Sequence, residues 1–214
     1  MAGNFTLFPF RVPLTYLQKG RGMRNYRTLK TRFFDSMTYM QGATDIVGKQ
    51  LISLMRFAAV RFADNWHALC KWLEKKGWKR LGYGFFANVY ATPCGRFALK
   101  LARGGTKTGY DSYARFAAAN PSNPYLPTVY IHTRTDFGMM TLLERLTPLT
   151  DALHPECVDI QKRLKADVLD CKNTDTALST VLMHLHPLHE RLDLHPSNFM
   201  ARGDQLVITD PLAG

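Results

Sequence analysis

The stretch from Trp78 to Leu101 constrains the fold most, because a helical spacing of apolar residues stops there and short β-type segments take over. Trp78 to Tyr83, Ala87 to Ala91 and Arg96 to Leu101 read as three strands, the last two joined as a hairpin by Thr92-Pro93-Cys94-Gly95. Two more strands follow at Thr128 to Arg134 and Met139 to Leu146, turning at Asp136-Phe137-Gly138. Between the two groups a short helix covers Asp111 to Ala119 and ends at Asn120-Pro121. Upstream, one long helix is expected from Thr44 or Asp45 to Lys76, with Ile46, Leu51, Leu54, Met55, Ala58, Phe62, Leu69 and Leu73 on its apolar side and Gly77 as its terminator. Trp66 and Trp72 read as core anchors on it. Beyond Thr150 the pattern is helical, most strongly from Thr174 to His189. A small hairpin of Phe199 to Ala201 and Leu206 to Thr209 then turns at Gly203-Asp204. The order is long helix, three strands, helix, two strands, helices, hairpin, which is an α+β chain.

With 214 residues, 46% of them hydrophobic and 21% charged, the chain has the composition of a globular protein with one good core and an extension. Cys70, Cys94, Cys157 and Cys171 are scattered, which argues against a zinc site and against a disulfide framework and favours a reducing compartment. The most apolar stretch, Leu51 to Ala63, is broken by Arg56 and Arg61, so no membrane span is expected and the cytoplasm is the expected location. The net charge of +11 is concentrated in residues 19–32, where Lys19, Arg21, Arg24, Arg27, Lys30 and Arg32 occur without an acid. Such a stretch reads either as a solvated basic arm or as a contact for an acidic protein or a nucleic acid.

Three motifs carry chemistry. Gly82-Tyr83-Gly84-Phe85-Phe86-Ala87-Asn88-Val89 follows the form G-x-G-x-x-G-x-V, with Ala87 in place of the third glycine. Glycines there let a hairpin backbone approach phosphates, and Val89 would cover an adenine. A dinucleotide-binding loop is excluded, because that motif opens a helix and this one opens a hairpin. On the next strand, Phe97-Ala98-Leu99-Lys100 resembles V-A-I-K, with Ala98 leaving room for adenine and Lys100 reaching the phosphates. The third motif is Asp193-Leu194-His195-Pro196-Ser197-Asn198, which has the D-x-x-x-x-N spacing of a catalytic loop. Here Asp193 would orient the proton of an attacking hydroxyl and Asn198 would hold a magnesium ion. Asp210, at the end of the last hairpin strand, stands where a second metal ligand belongs. Phosphoryl transfer needs such a grouping, because divalent ions must neutralise the charge on the transferred group. His184, His186, His189 and His195 cluster in sequence, but only His186 and His189 share a helix face, so they make a poor metal set.

From about Asn65 to Asp210 the chain resembles the protein kinases, leaning toward the atypical, aminoglycoside-kinase-like branch through Asp193-Leu194-His195-Pro196-Ser197-Asn198. More closely, Leu81 to Tyr90, the strand ending at Lys100, Leu194 to Met200 and Ile208 to Pro211 are similar to the early serine/threonine kinase of short-tailed lytic bacteriophages. The resemblance implies a protein-kinase-like fold: a β-rich N-lobe over residues 77–150 and a truncated, minimal helical C-lobe over 151–214. A helical segment over 44–76 and a basic N-terminal extension over 1–43 would precede them. It implies ATP and Mg2+ as cofactors, with Asp193 and Lys100 catalytic and Asn198 and Asp210 metal ligands. Gly82, Gly84, Ala87, Val89, Ala98, Lys100, Glu144 and Leu146 would contact the nucleotide, the last-named pair with Glu144 on the hinge that meets adenine. The partners implied are host proteins, including transcription or translation machinery, in the host bacterial cytoplasm.

The pattern has departures. Arg191 and Leu192 precede Asp193, so the usual His-Arg is missing, and His195 stands where many kinases place a lysine, either as a donor to phosphate or as part of the loop's structure. Asp111 is the only acid between Lys100 and Asp136, and it reads as a helix N-cap before it reads as the partner of Lys100. The sequence ends four residues after Asp210, so no activation segment is expected. The rival readings are a kinase-fold binding module (a pseudokinase) that inhibits a host factor and, last, a small-molecule phosphotransferase.

Overall fold

The computed structural model describes residues 38–39, 46–62, 65–84, 87–103, 108–135, 137–172 and 174–213. The basic stretch 19–32, the Thr44 or Asp45 cap, Phe85, Phe86 and Asp136 lie outside the described residues. The chain is a mixed α+β protein with two antiparallel sheets and five α-helices among the described residues. Its strands are β1 (Thr38–Tyr39), β2 (Lys79–Tyr83), β3 (Ala87–Ala91), β4 (Phe97–Arg103), β5 (Val129–Thr135), β6 (Gly138–Glu144), β7 (Thr147–Pro148), β8 (Phe199–Arg202) and β9 (Gln205–Ile208). The helices are α1 (Ile46–Arg61), α2 (Trp66–Lys75), α3 (Thr108–Ala119), α4 (His154–Lys165) and α5 (Thr176–Leu185).

The larger sheet runs β1-β5-β6-β4-β3-β2 and the smaller runs β7-β8-β9. Gly95, at φ 73°, makes the β3–β4 turn possible, and its N–H donates to the Thr92 carbonyl at 2.8 Å. β1 pairs with β5 and extends the sheet back to Thr38, inside the stretch expected to be an extension.

β4 is buried on both faces. Phe97, Leu99 and Leu101 point into a core shared with Trp66, Leu69 and Leu73 of α2, Met55 of α1, and Ile131 and Leu142 of the neighbouring strands. The alternate residues, Ala98, Lys100 and Ala102, face the other way. A second core joins Tyr113 and Ala117 of α3 to Cys157, Ile160 and Leu164 of α4, to Val181, Leu182 and Leu185 of α5, and to Phe199 and Leu206 of the small sheet. α3 links the two layers, because its Tyr110 and Ala114 pack against Ala102 and Met139 of the larger sheet.

Two expected helices take different limits. The long helix over 44–76 is two helices, because the side chain of Asn65 accepts a bond from the Ala68 N–H at 2.9 Å and so starts a new helix. The helix expected over Thr174 to His189 starts after the cap Asp175 and ends at Leu185. Pro187 has no N–H to continue it, and the chain passes into a 3-10 segment, His186–Arg191. Among the described residues no helix is long and apolar enough to cross a membrane.

Candidate active site

Lys100 sits mid-strand on β4, and its side chain is only 8% exposed. A buried ammonium needs a charged or aromatic neighbour to be stable. Lys100 has both: its Nζ lies 2.7 Å from Oδ2 of Asp210 and 3.5 Å from the centre of the Tyr110 ring. The partner that sequence reasoning found missing is thus Asp210, with Tyr110 of α3 beside it.

The turn from β9 brings Asp210 there. Tyr113 donates its hydroxyl to the Ile208 carbonyl at 2.7 Å, and the N–H and Oγ1 of Thr209 both donate to the Asn198 carbonyl, at 2.8 and 2.9 Å. Past Asp210, the chain pairs back on the segment before the loop. The Asp193 N–H donates to the Pro211 carbonyl at 2.7 Å, and Leu192 bridges to Leu212. The loop from Asp193 to Asn198 closes on itself: Nδ2 of Asn198 donates to the Asp193 carbonyl at 2.8 Å. That bond points the Asn198 amide nitrogen at the loop and leaves its side-chain oxygen, Oδ1, as the group suited to a cation. Lys100, Asp193, Asn198 and Asp210 are therefore drawn together by one continuous set of contacts.

His195 has a structural part in this loop. Its Nδ1 lies 2.8 Å from Oγ of Ser197 and accepts from the Ser197 N–H at 3.3 Å. Beside the loop is an open cleft of about 530 Å3, lined by Asp193, Leu192, Leu194, Lys165, His189 and His195.

Over the glycine strand, a Cβ built on Gly82 meets nothing within 4 Å, and one on Gly84 meets only the Ala87 carbonyl at 3.9 Å. Neither residue has a positive φ among the described glycines. Among the described residues, packing does not demand glycine at either position. Val89 and Ala87 of β3 are half-buried and Ala98 is buried. Val89 lies opposite Lys100 in the register.

Glu144 and Leu146 fall where the chain leaves the larger sheet for β7. The Glu144 side chain is a clamp: it accepts from the Thr128 N–H at 2.7 Å and from Nε of Arg202 at 2.9 Å, with a second close contact to the same guanidinium. Burial works against the Glu144 charge, but these donors outweigh it and hold the carboxyl below its ordinary value. The Glu144 and Arg145 N–H groups donate to the Thr128 and Arg96 carbonyls, so both are already engaged within the protein.

Asp111 is neither an N-cap nor the partner of Lys100. It lies inside α3, 8% exposed, with Oδ1 2.7 Å from Nε2 of His132 and Oδ2 2.7 Å from Nη2 of Arg134 and 3.3 Å from Nε of Arg115. Burial opposes its charge, yet the three donors prevail and hold the carboxyl at about 2. His132 is fully buried, and burial pushes its imidazole down; with Nε2–H donating to Asp111, its Nδ1 accepts from the Thr141 hydroxyl at 2.9 Å. Sequence reasoning missed this network. Its one signal was a lone polar residue, Thr141, inside the apolar run of β6, which the register sets opposite His132.

Two further histidines of the sequence cluster have other contacts. His184 stacks on Phe116 with ring centres 3.7 Å apart, and Nε2 of His186 lies 2.9 Å from the Ala166 carbonyl. A scan against models of known protein families finds no match, and neither does a search of curated proteins.

Proposed function

We propose that this chain is an ATP- and magnesium-dependent serine/threonine protein kinase with a kinase-like fold, of phage type and acting on host proteins in the bacterial cytoplasm. The observation that carries this reading is that Lys100, Asp210, Asn198 and Asp193 are linked by the Lys100–Asp210 ion pair and by the hydrogen bonds that join the loop of Asp193 and Asn198 to the chain around Asp210. The strand and helix order expected from the resemblance supports it, as do the open positions above Gly82 and Gly84. On this reading residues 77–150 are the N-lobe and 151–214 the C-lobe, and the basic stretch 19–32 recruits an acidic partner or nucleic acid.

The residues present fit magnesium and ATP. Magnesium is usually held by one or two carboxylates together with substrate phosphates, and the Asp210 carboxylate with the side-chain oxygen Oδ1 of Asn198 would supply such a set. When bound, the ion would neutralise charge on the β- and γ-phosphates. Lys100 would pair with phosphate oxygens, the glycine strand would let them approach, and Ala98 and Val89 would cover the base. Asp193 faces the cleft and would take or orient the proton of a Ser or Thr hydroxyl arriving there. Positioning and charge neutralisation are most of what phosphoryl transfer requires.

The test is incubation of purified protein with ATP and magnesium, read by mass spectrometry for phosphorylated Ser or Thr. Modest autophosphorylation is expected, lost in Asp193→Ala while ATP binding persists. Binding of ATP with no transfer, either to itself or to host extract, would instead favour the binding-module reading.

A further inference from the structure

In the kinase reading, the lysine of β4 must be held in place while its aspartate partner serves a cation. The acid of α3 that stands nearest in sequence, Asp111, is committed to His132, Arg134 and Arg115 and does not hold it. The residue before it does touch Lys100. Tyr110 is 2% exposed, and Nζ of Lys100 lies 3.5 Å above its ring centre. A cation on a buried aromatic face is attracted by the ring's quadrupole, and the attraction grows as water is excluded. Burial also pushes the Tyr110 hydroxyl up from its ordinary value, so the ring is a neutral phenol.

The ring is itself fixed on three sides. Tyr110 packs with Ala102 and Met139 of the sheet and meets the His132 ring edge-on at 6.2 Å. His132 and Arg134 of β5 grip the adjacent Asp111, so α3 cannot turn about its axis without breaking that network. On the other side, Gly109 lies against the segment that follows Asp210. A Cβ there would fall 2.8 Å from the Ala213 carbonyl oxygen and 2.9 Å from Cβ of Leu212. Residues 109 to 111 thus tie α3 to Lys100, to the sheet and to the chain leaving Asp210.

We propose that Tyr110 is the positioning residue for Lys100, seating the phosphate-binding lysine on an aromatic face in the role a helix carboxylate would otherwise fill. This rests on the ATP reading, because it assumes that Lys100 engages phosphate. As Asp210 turns to a cation, Lys100 keeps its seat on the ring and its charge stays aimed into the site.

The test combines a spectroscopic and a binding readout on the full chain. Lysine labelled with 13C at Cε, with the Lys100 signal assigned through Lys100→Arg, reports the ring current of Tyr110 without any need for activity. The Lys100 ε-protons should be shifted upfield in the wild type and in Tyr110→Phe, and return to ordinary lysine positions in Tyr110→Leu. Affinity for MgATP should follow the same order: within about twofold of wild type for Phe and down about tenfold for Leu, as expected for loss of a desolvated cation–π contact. Gly109→Ala, which pushes α3 off Leu212 and Ala213, should reduce both signals although alanine favours helix. An ordinary Lys100 shift in the wild type, or wild-type MgATP affinity in a folded Tyr110→Leu, overturns the proposal. A wild type that has the upfield shift but binds no nucleotide overturns the ATP reading itself and with it the positioning role.

Discussion

At the scale of single residues, the polar groups buried between α3 and the larger sheet matter as much for stability as the site does for chemistry. Asp111 is the hub, since His132, Arg134 and Arg115 all donate to it. Asp111→Ala leaves a fully buried imidazole N–H without its acceptor, while the guanidiniums of Arg115 and Arg134 are exposed enough to turn to water, and should cost about 1–3 kcal/mol in denaturant unfolding. The pH dependence follows from the same contacts. The Asp111 carboxyl falls from 3.8 to about 2 on folding, so its contribution is complete above about pH 4 and is lost as pH falls toward 2. The His132 imidazole is also lowered on folding, so its protonation favours the unfolded chain and stability begins to drop below about pH 6.5. Acid titration of the unfolding midpoint should show both phases in the wild type and lose the lower one in Asp111→Ala. The places of Lys100 on its strand and of Asp193 to Asn198 in a loop before the last hairpin were legible because they follow from local spacing and turn residues. The roles of Asp111 and Tyr110 were not, because they arise from strands and a helix meeting across the fold.

At the scale of elements, strands were easier to locate than helix limits. β3 starts at Ala87 and ends at Ala91, as alternation and the Thr92-Pro93-Cys94-Gly95 turn predict. The last hairpin falls likewise around Gly203, at φ 60°. Helix ends depended on single side chains: Asn65 starts α2 where apolar spacing alone continues α1, and Pro187 ends α5 after His184 but before His186 and His189, which spacing had placed on it. The junction between the sheets depends on Arg202 of β8, whose guanidinium donates to Glu144 and to the Pro124 and Leu126 carbonyls at 3.0 and 2.9 Å. It ties β6, the chain entering β5 and the small sheet into one joint. Arg202→Ala should therefore lower stability by about 2 kcal/mol, between an exposed and a fully buried pair. It should also speed hydrogen exchange in Thr128 and Glu144, measured by mass spectrometry, while leaving α1 and α2 unchanged.

At the scale of the whole molecule, α3 joins the helical core to the face of the larger sheet that carries Lys100, opposite the core that the sheet shares with α1 and α2. Lys100 comes from the larger sheet; Asp193, Asn198 and Asp210 come from the small sheet and its loops. A nucleotide held between them would contact both layers, so its binding tests the arrangement as a unit. Lys100 would touch phosphate directly, whereas Asp210 would act through magnesium, and the two variants should differ accordingly. The decisive measurement is calorimetric titration of ATP into the wild type, Lys100→Ala and Asp210→Ala, each with and without magnesium. The account predicts that the wild type binds more tightly with magnesium, that Lys100→Ala is weakened in both conditions, and that Asp210→Ala loses mainly the magnesium-dependent part. Equal, metal-independent affinity in all three proteins, or no binding to the wild type, would contradict it.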